Sequence, residues 1–147
     1  MSMPSSLTTA EGQIRDVIEA WAAAIRARDV AGVLEHFHED SVRFYLAPPL
    51  KATTPLKTNL GEWFATFDGP LGYEIRDLAV TANEALAFAH SLNHVTGTRT
   101  KGEAADLWFR ETLCLTKRDG QWRIAHAHES VPFYMDGTLK AAVDLKP

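Results

Sequence analysis

Four side chains in this sequence are suited to moving a proton: Tyr45, His90, Glu111 and Glu129. A carboxyl in apolar surroundings resists ionisation, so its pKa rises toward neutrality and it can both take and return a proton. Glu129 follows Ala125 and Ala127 on alternate positions of an apolar-rich run, which suits that role. The competing reading is a solvated carboxylate paired with Arg123 or Arg43, since structural ion pairs also perturb titration. His90 lies in Phe88-Ala-His-Ser-Leu-Asn-His94, where the even positions are bulky and their neighbours mostly small. This predicts that Phe88, His90, Leu92 and His94 face inward. An imidazole there would titrate near neutral pH. The alternative is a hydrogen-bonded histidine with a structural role only.

Other chemistries find less support. Cys114 stands between Leu113 and Leu115, which predicts an inert, buried thiol rather than a nucleophile. His36 and His38 are two apart at a helix end, so they point in different directions and read as a solvated terminus. No Gly-x-Ser-x-Gly elbow, phosphate loop or dinucleotide fingerprint is present.

The elements that must carry these residues come from periodicity. Thr8-Thr9-Ala10-Glu11 reads as a capping box, followed by Ile14, Val17, Ile18, Trp21 and Ile25 at helical spacing. Asp29 caps a second, short helix with Val33, Leu34 and Phe37 inward. Ser41 to Leu46 is strand-like and ends at Pro48-Pro49. Asn59-Leu60-Gly61-Glu62 opens a third helix carrying Trp63, Phe64 and Phe67, which Gly69-Pro70-Leu71-Gly72 stops. The period then becomes two, predicting strands at Tyr73 to Thr81, Ala85 to Thr96, Ala105 to Lys117 and Gln121 to Pro132. Helices followed by a hairpin meander mean α+β, with one curved antiparallel sheet packed on three helices. The 147 residues suit a single domain, 1–147, with peripheral tails at about 1–9 and 134–147.

The Asp119-Gly120 turn sets the sheet register. A two-residue turn pairs Arg118 with Gln121; a three-residue loop pairs Lys117 with Gln121. The second choice puts Leu113, Leu115, Ala125 and Ala127 on one face, with Phe109 opposite Glu129. It puts Trp108, Arg110, Thr112, Cys114, Trp122, Ile124, His126 and His128 on the other. Both faces are then too apolar for free exposure, so one meets the helices and the other a partner subunit. His126-x-His128 places two imidazoles on one face, but Arg110 would lie across from His128, and a cation there repels a metal. No metal site is expected.

Two stretches carry a family resemblance. One is Trp21-Ala-Ala-Ala-Ile-Arg-Ala-Arg-Asp29 followed by Val33-Leu-Glu-His-Phe-His-Glu-Asp40. The other is Lys117-Arg-Asp-Gly-Gln-Trp122-Arg-Ile-Ala-His126-Ala-His128-Glu-Ser130-Val-Pro-Phe133. With the element order, they resemble the SnoaL-like, ketosteroid-isomerase-like branch of the nuclear transport factor two-like superfamily, from about Glu11 to Phe133. The resemblance implies a cystatin-like α+β roll: a cone with an apolar cavity open at one end, and a homodimer packed through the outer sheet face. In that cavity Tyr45, His90 and Glu129 would be catalytic, and Trp21, Trp63, Phe67, Phe109 and Glu111 would meet the ligand. Ketosteroid isomerase needs a base aspartate, a donor tyrosine and a protonated aspartic acid. By resemblance Tyr45, Trp21 and Phe109 take those three places, so steroid isomerisation by that mechanism is not expected.

The implied function is binding of a small, largely apolar molecule, with cofactor-independent isomerisation, cyclisation or dehydration, or binding without turnover. Net charge −4 argues against nucleic acid. No run approaches the roughly 20 apolar residues a membrane span needs. The polar start, Met1 to Thr9, and the single cysteine fit a cytoplasmic protein.

Overall fold

The structure, a computed structural model, describes residues 9–53 and 57–147. Among these, three helices and five strands follow in the order α1 (Ala10–Arg26), α2 (Val30–Leu34), β1 (Phe37–Phe44), α3 (Lys57–Phe64), β2 (Phe67–Ala82), β3 (Leu86–Arg99), β4 (Ala104–Arg118) and β5 (Gln121–Ser130). Thr9 caps α1, its side chain accepting from the Gly12 amide at 2.9 Å. Thr8, which opens the expected capping box, lies outside the described residues, and the carboxylate of Glu11 pairs with Arg15 at 3.0 Å. At the far end Arg28 turns left-handed (φ 55°). Its amide donates to the Ile25 carbonyl and that of Asp29 to the Ala24 carbonyl, the Schellman pattern that closes a helix. Asp29 then caps α2 through the Gly32 amide at 3.0 Å, as the sequence predicts.

The strands form one curved sheet in the order β1-β5-β4-β3-β2. β2 to β5 are an antiparallel meander, whereas β1 joins β5 in parallel. Helix α1 lies across the inner face. Its Ile14, Ile18, Trp21 and Ile25 are buried, and Arg15 and Arg26 donate to the Leu78 and Tyr73 carbonyls of β2. Trp122 Nε1 donates to Gln13 Oε1 at 2.9 Å, tying β5 to the same helix. No helix among the described residues is long and apolar enough to cross a membrane. After β5 the chain is irregular, closed by a bridge between Phe133 and Ala141.

Three expectations about this sheet are corrected. The final hairpin has a two-residue turn, Asp119 and Gly120 both at positive φ (53° and 77°), so Arg118 pairs with Gln121. Asp followed by Gly meets the demand for two left-handed residues in such a turn, and its twist matches the strands. A bulge at Ala125 then shifts the register, so that Leu115 faces Ile124 but Cys114 faces His126. The extra residue brings Trp122 and Ile124 onto the same inner face as Ala127 and Glu129. An unbroken period of two puts Trp122 and Ile124 on the face opposite Ala127, because it allows for no bulge. Glu129 consequently stands opposite Glu111 rather than Phe109, and Arg110 opposite Ser130 rather than His128. Finally, Phe67 begins β2 instead of belonging to α3. Gly69 and Pro70 sit in a bulge of that strand, between the pairs Asp68–Thr98 and Leu71–Gly97, and do not end a helix.

Candidate functional site

One rung of the inner face collects the polar side chains. Ser91 of β3 pairs with Glu111 of β4, and Glu111 with Glu129 of β5. One residue past the last β1 pair, Phe44 with His128, comes Tyr45 beside Glu129. Alternation along each strand turns all four inward, and the helices shut water away from the deeper ones. Glu111 is 2% exposed and Asn93 fully buried.

Asn93 organises the buried end. Its Nδ2 donates to Tyr73 Oη and to Glu111 Oε1, each at 2.7 Å. Its Oδ1 accepts from Ser91 Oγ at 2.6 Å. Tyr73 Oη donates to Glu111 Oε1 at 3.4 Å. Glu111 Oε1 is thus supplied with donors, while Oε2 is buried and reached by no N–H or hydroxyl among the described residues. What does reach Glu111 is the carboxyl of Glu129, within hydrogen-bond range. Two carboxyls can hydrogen-bond only when one holds a proton, so the pair keeps at least one.

The electrostatics agree. Burial, then the charge of Glu129, holds the Glu111 carboxyl well above the usual range. Burial also pushes Glu129 up to about 7, while hydrogen bonds from Glu111 and the Leu46 amide restrain the rise. Burial and the neighbouring carboxylates keep the Tyr45 and Tyr73 hydroxyls protonated far above neutrality. A pair of like groups whose environments push their titrations apart can offer one as donor and one as base.

At its Tyr45–Glu129 end this polar network opens to solvent. Tyr45 and Glu129 line an open groove of about 640 Å³, whose other walls are Phe44, His128 and the segment Leu46 to Lys51. That segment contains a cis Pro48-Pro49 peptide.

Of the expected site residues, Tyr45, Glu111 and Glu129 come together. His90 does not. It pairs with Thr112 and Ala79 on the outer face and is exposed, with Ala87, Ala89, Asn93 and Val95 taking the inner positions. The alternation of bulky and small residues runs opposite to the expectation: the small residues and Asn93 are the buried set. Trp21 and Phe109 are core residues flanking Tyr73, at ring separations of 5.8 and 6.3 Å. Trp63 packs edge-on to Phe67 at 5.2 Å, and Arg99 lies over Phe67 at 4.7 Å, forming a separate aromatic corner. None of Trp21, Trp63, Phe67 or Phe109 lines the groove.

Sequence reasoning missed Tyr73 and Asn93. An amide in phase with Ala87, Ala89 and Val95 was the available signal for Asn93. His38, read as solvated, is 6% exposed and 2.7 Å from Thr116 Oγ1. Cys114 is half-buried, its thiol pushed up by burial. No group of three or more His, Cys, Asp or Glu that could hold a metal occurs among the described residues.

Helices on one face of a curved meander, with a polar rung leading to one open end, define an α+β roll of the NTF2-like, cystatin-like kind. The chain belongs to the SnoaL-like family of that superfamily: the SnoaL-like domain pattern matches residues 14–134. An NTF2-like protein of unknown function from Pseudomonas putida KT2440 is 34% identical, with 94% of this chain and 96% of that one covered and a TM-score of 0.84. A putative scytalone dehydratase from Novosphingobium aromaticivorans DSM 12444 is 21% identical, covering 88% and 89%, with a TM-score of 0.74. A protein with a cystatin-like fold from Caulobacter vibrioides is 18% identical, covering 82% and 87%, with a TM-score of 0.68. The last two likenesses are of fold. No curated protein matches the chain in sequence.

Proposed function

We propose that this protein is a cofactor-independent acid–base enzyme, an isomerase, cyclase or dehydratase of a small, largely apolar carbonyl compound. One observation carries the reading: the carboxyl pair of buried Glu111 and half-buried Glu129 ends at an apolar groove shared with Tyr45. In its ionised form Glu129 takes a proton from the carbon next to the carbonyl. The negative charge that develops on the carbonyl oxygen accepts a hydrogen bond from the Tyr45 hydroxyl, which stays protonated. Glu111 donates to Glu129 and holds it in place. Returning the proton to another carbon completes an isomerisation. If a hydroxyl on the next carbon departs with that proton, the product is an alkene and water. The fold likeness to a protein described as a putative scytalone dehydratase supports the second outcome.

The test is exchange of α-carbon hydrogens of cyclic ketones for deuterium in heavy water, followed by proton NMR. Exchange above the buffer rate is expected, rising with pH through about 7 as Glu129 ionises. A panel that shows no acceleration at any pH defeats the proposal. Binding without turnover is the second reading. It is favoured by Trp21 and Phe109, core residues where the resemblance to ketosteroid isomerase calls for polar catalytic groups.

We also propose that the protein works as a homodimer joined through the outer sheet face. Exposed Leu86 and Phe88 support this, as does the aromatic cluster of Phe44, His126 and His128. Light scattering is expected to give twice the chain mass; a monomer at all concentrations contradicts it.

A further inference from the structure

The groove carries information about its ligand that the carboxyl pair alone does not. Its walls are mostly aliphatic or aromatic, and its polar lining is Tyr45, His128, Glu129 and Lys51. Lys51 is exposed, and the backbone beside it is tied down: the amides of Arg43 and Ala52 donate to each other's carbonyls at 2.9 and 2.8 Å, closing the segment back onto β1. Among the described residues the Lys51 ammonium forms no ion pair, with Glu129 or any other carboxylate. That separation has a chemical consequence. A lysine paired with Glu129 would favour the carboxylate and pull its pKa down, removing a base poised near neutrality. Lying apart, Lys51 leaves Glu129 unneutralised and offers its own charge to something else. A groove with aliphatic walls and a lysine at one end is complementary to a molecule with an apolar body and one negative end.

Resting on the reading of this groove as the substrate site, we infer that its ligand is a small amphipathic carboxylate. Its anionic end sits on Lys51 and its apolar body lies along Leu46, Pro48 and Pro49, with the reacting carbon toward Tyr45 and Glu129. The groove volume of about 640 Å³ lies within the range of small-molecule sites. The carboxylate must sit at the Lys51 end, because next to an ionised Glu129 it would be repelled.

The test compares 2-naphthoic acid with its methyl ester as probes of the full-length protein by isothermal titration calorimetry. At about pH 6 a carboxylic acid of pKa near 4 is ionised, whereas Glu129, at about 7, is mostly protonated. The acid is expected to bind about fivefold more tightly than the ester, the scale of an exposed ion pair. Lys51→Met should erase the preference and Lys51→Arg keep it. Added salt should weaken the acid and leave the ester unchanged. Equal binding of acid and ester, or a preference surviving in Lys51→Met, overturns the inference and leaves the acid–base reading intact. Failure of both probes to bind overturns the inference, while the deuterium-exchange result decides the acid–base reading separately.

Discussion

Glu129→Gln is expected to lower the deuterium-exchange rate by about 10²–10⁴-fold, the usual contribution of a positioned base. The substitution keeps shape and hydrogen bonding. Its amide can donate to Glu111 Oε2, the buried atom no N–H or hydroxyl now reaches. What it removes is the ability to ionise. Loss of folding is therefore a poor explanation for loss of rate, and unchanged far-ultraviolet circular dichroism would document that. Glu111→Gln is expected to behave differently. Asn93 and Tyr73 hold the Glu111 Oε1 position as an acceptor, so the new amide nitrogen would point at Glu129 and donate to it permanently. A permanent donor favours the Glu129 carboxylate. That variant should keep most of its rate, with the rise in rate against pH moved to lower pH. Equal losses in the two variants would mean that the pair acts as a structural unit and that Glu129 is not the base.

The second large effect concerns stability. For Glu129 the unfolded value is near 4.5 and the folded value about 7, because burial penalises the carboxylate. A raised folded pKa means that between these values the folded state binds more protons than the unfolded chain. Stability contributed by this group is then complete below about pH 4.5, falls as pH rises, and is lost above about 7. The shift corresponds to about 3 kcal/mol, which at about 2–4 °C per kcal/mol is a drop in melting temperature of about 6–12 °C. Glu111 is shifted in the same direction and adds to the trend. Melting followed at pH 5 and pH 8 should show the wild type losing stability with pH, and the Glu111→Gln/Glu129→Gln double variant losing that fall and keeping only the slight rise that burial of His36, whose pKa is lowered, contributes. A wild type as stable at pH 8 as at pH 5 would show that the two carboxyls are better solvated than their burial implies.

Much of the frame was legible because local rules carried it. Thr9 and Asp29 cap helices wherever their side chains can reach a free amide, and neither depends on distant residues. Ile14, Ile18, Trp21 and Ile25 mark a buried stripe by spacing alone. Tyr45 and Glu129 were found because ionisable groups in apolar strands are rare enough to notice. His90 was misplaced because strand alternation says that two faces differ but not which is inside. Size does not decide the matter either: the buried positions of β3 include the small Ala87 and Ala89, while the bulky Leu86, Phe88 and His90 are exposed. Asn93 and Tyr73 went unnoticed for a related reason: their importance lies in a hydrogen-bond network spanning β2, β3 and β4, with no local signature.

The amino-acid order alone determined the α+β class, the helix starts, the meander and the presence of acidic groups in a greasy setting, since capping, periodicity and hydropathy act over a few neighbours. Only the tertiary structure decided that Glu111 meets Glu129. One extra residue at Ala125 rotates the end of β5 by half a strand period, and whether such a bulge forms depends on how Trp122 and Ile124 fit beneath α1 rather than on any short stretch of sequence.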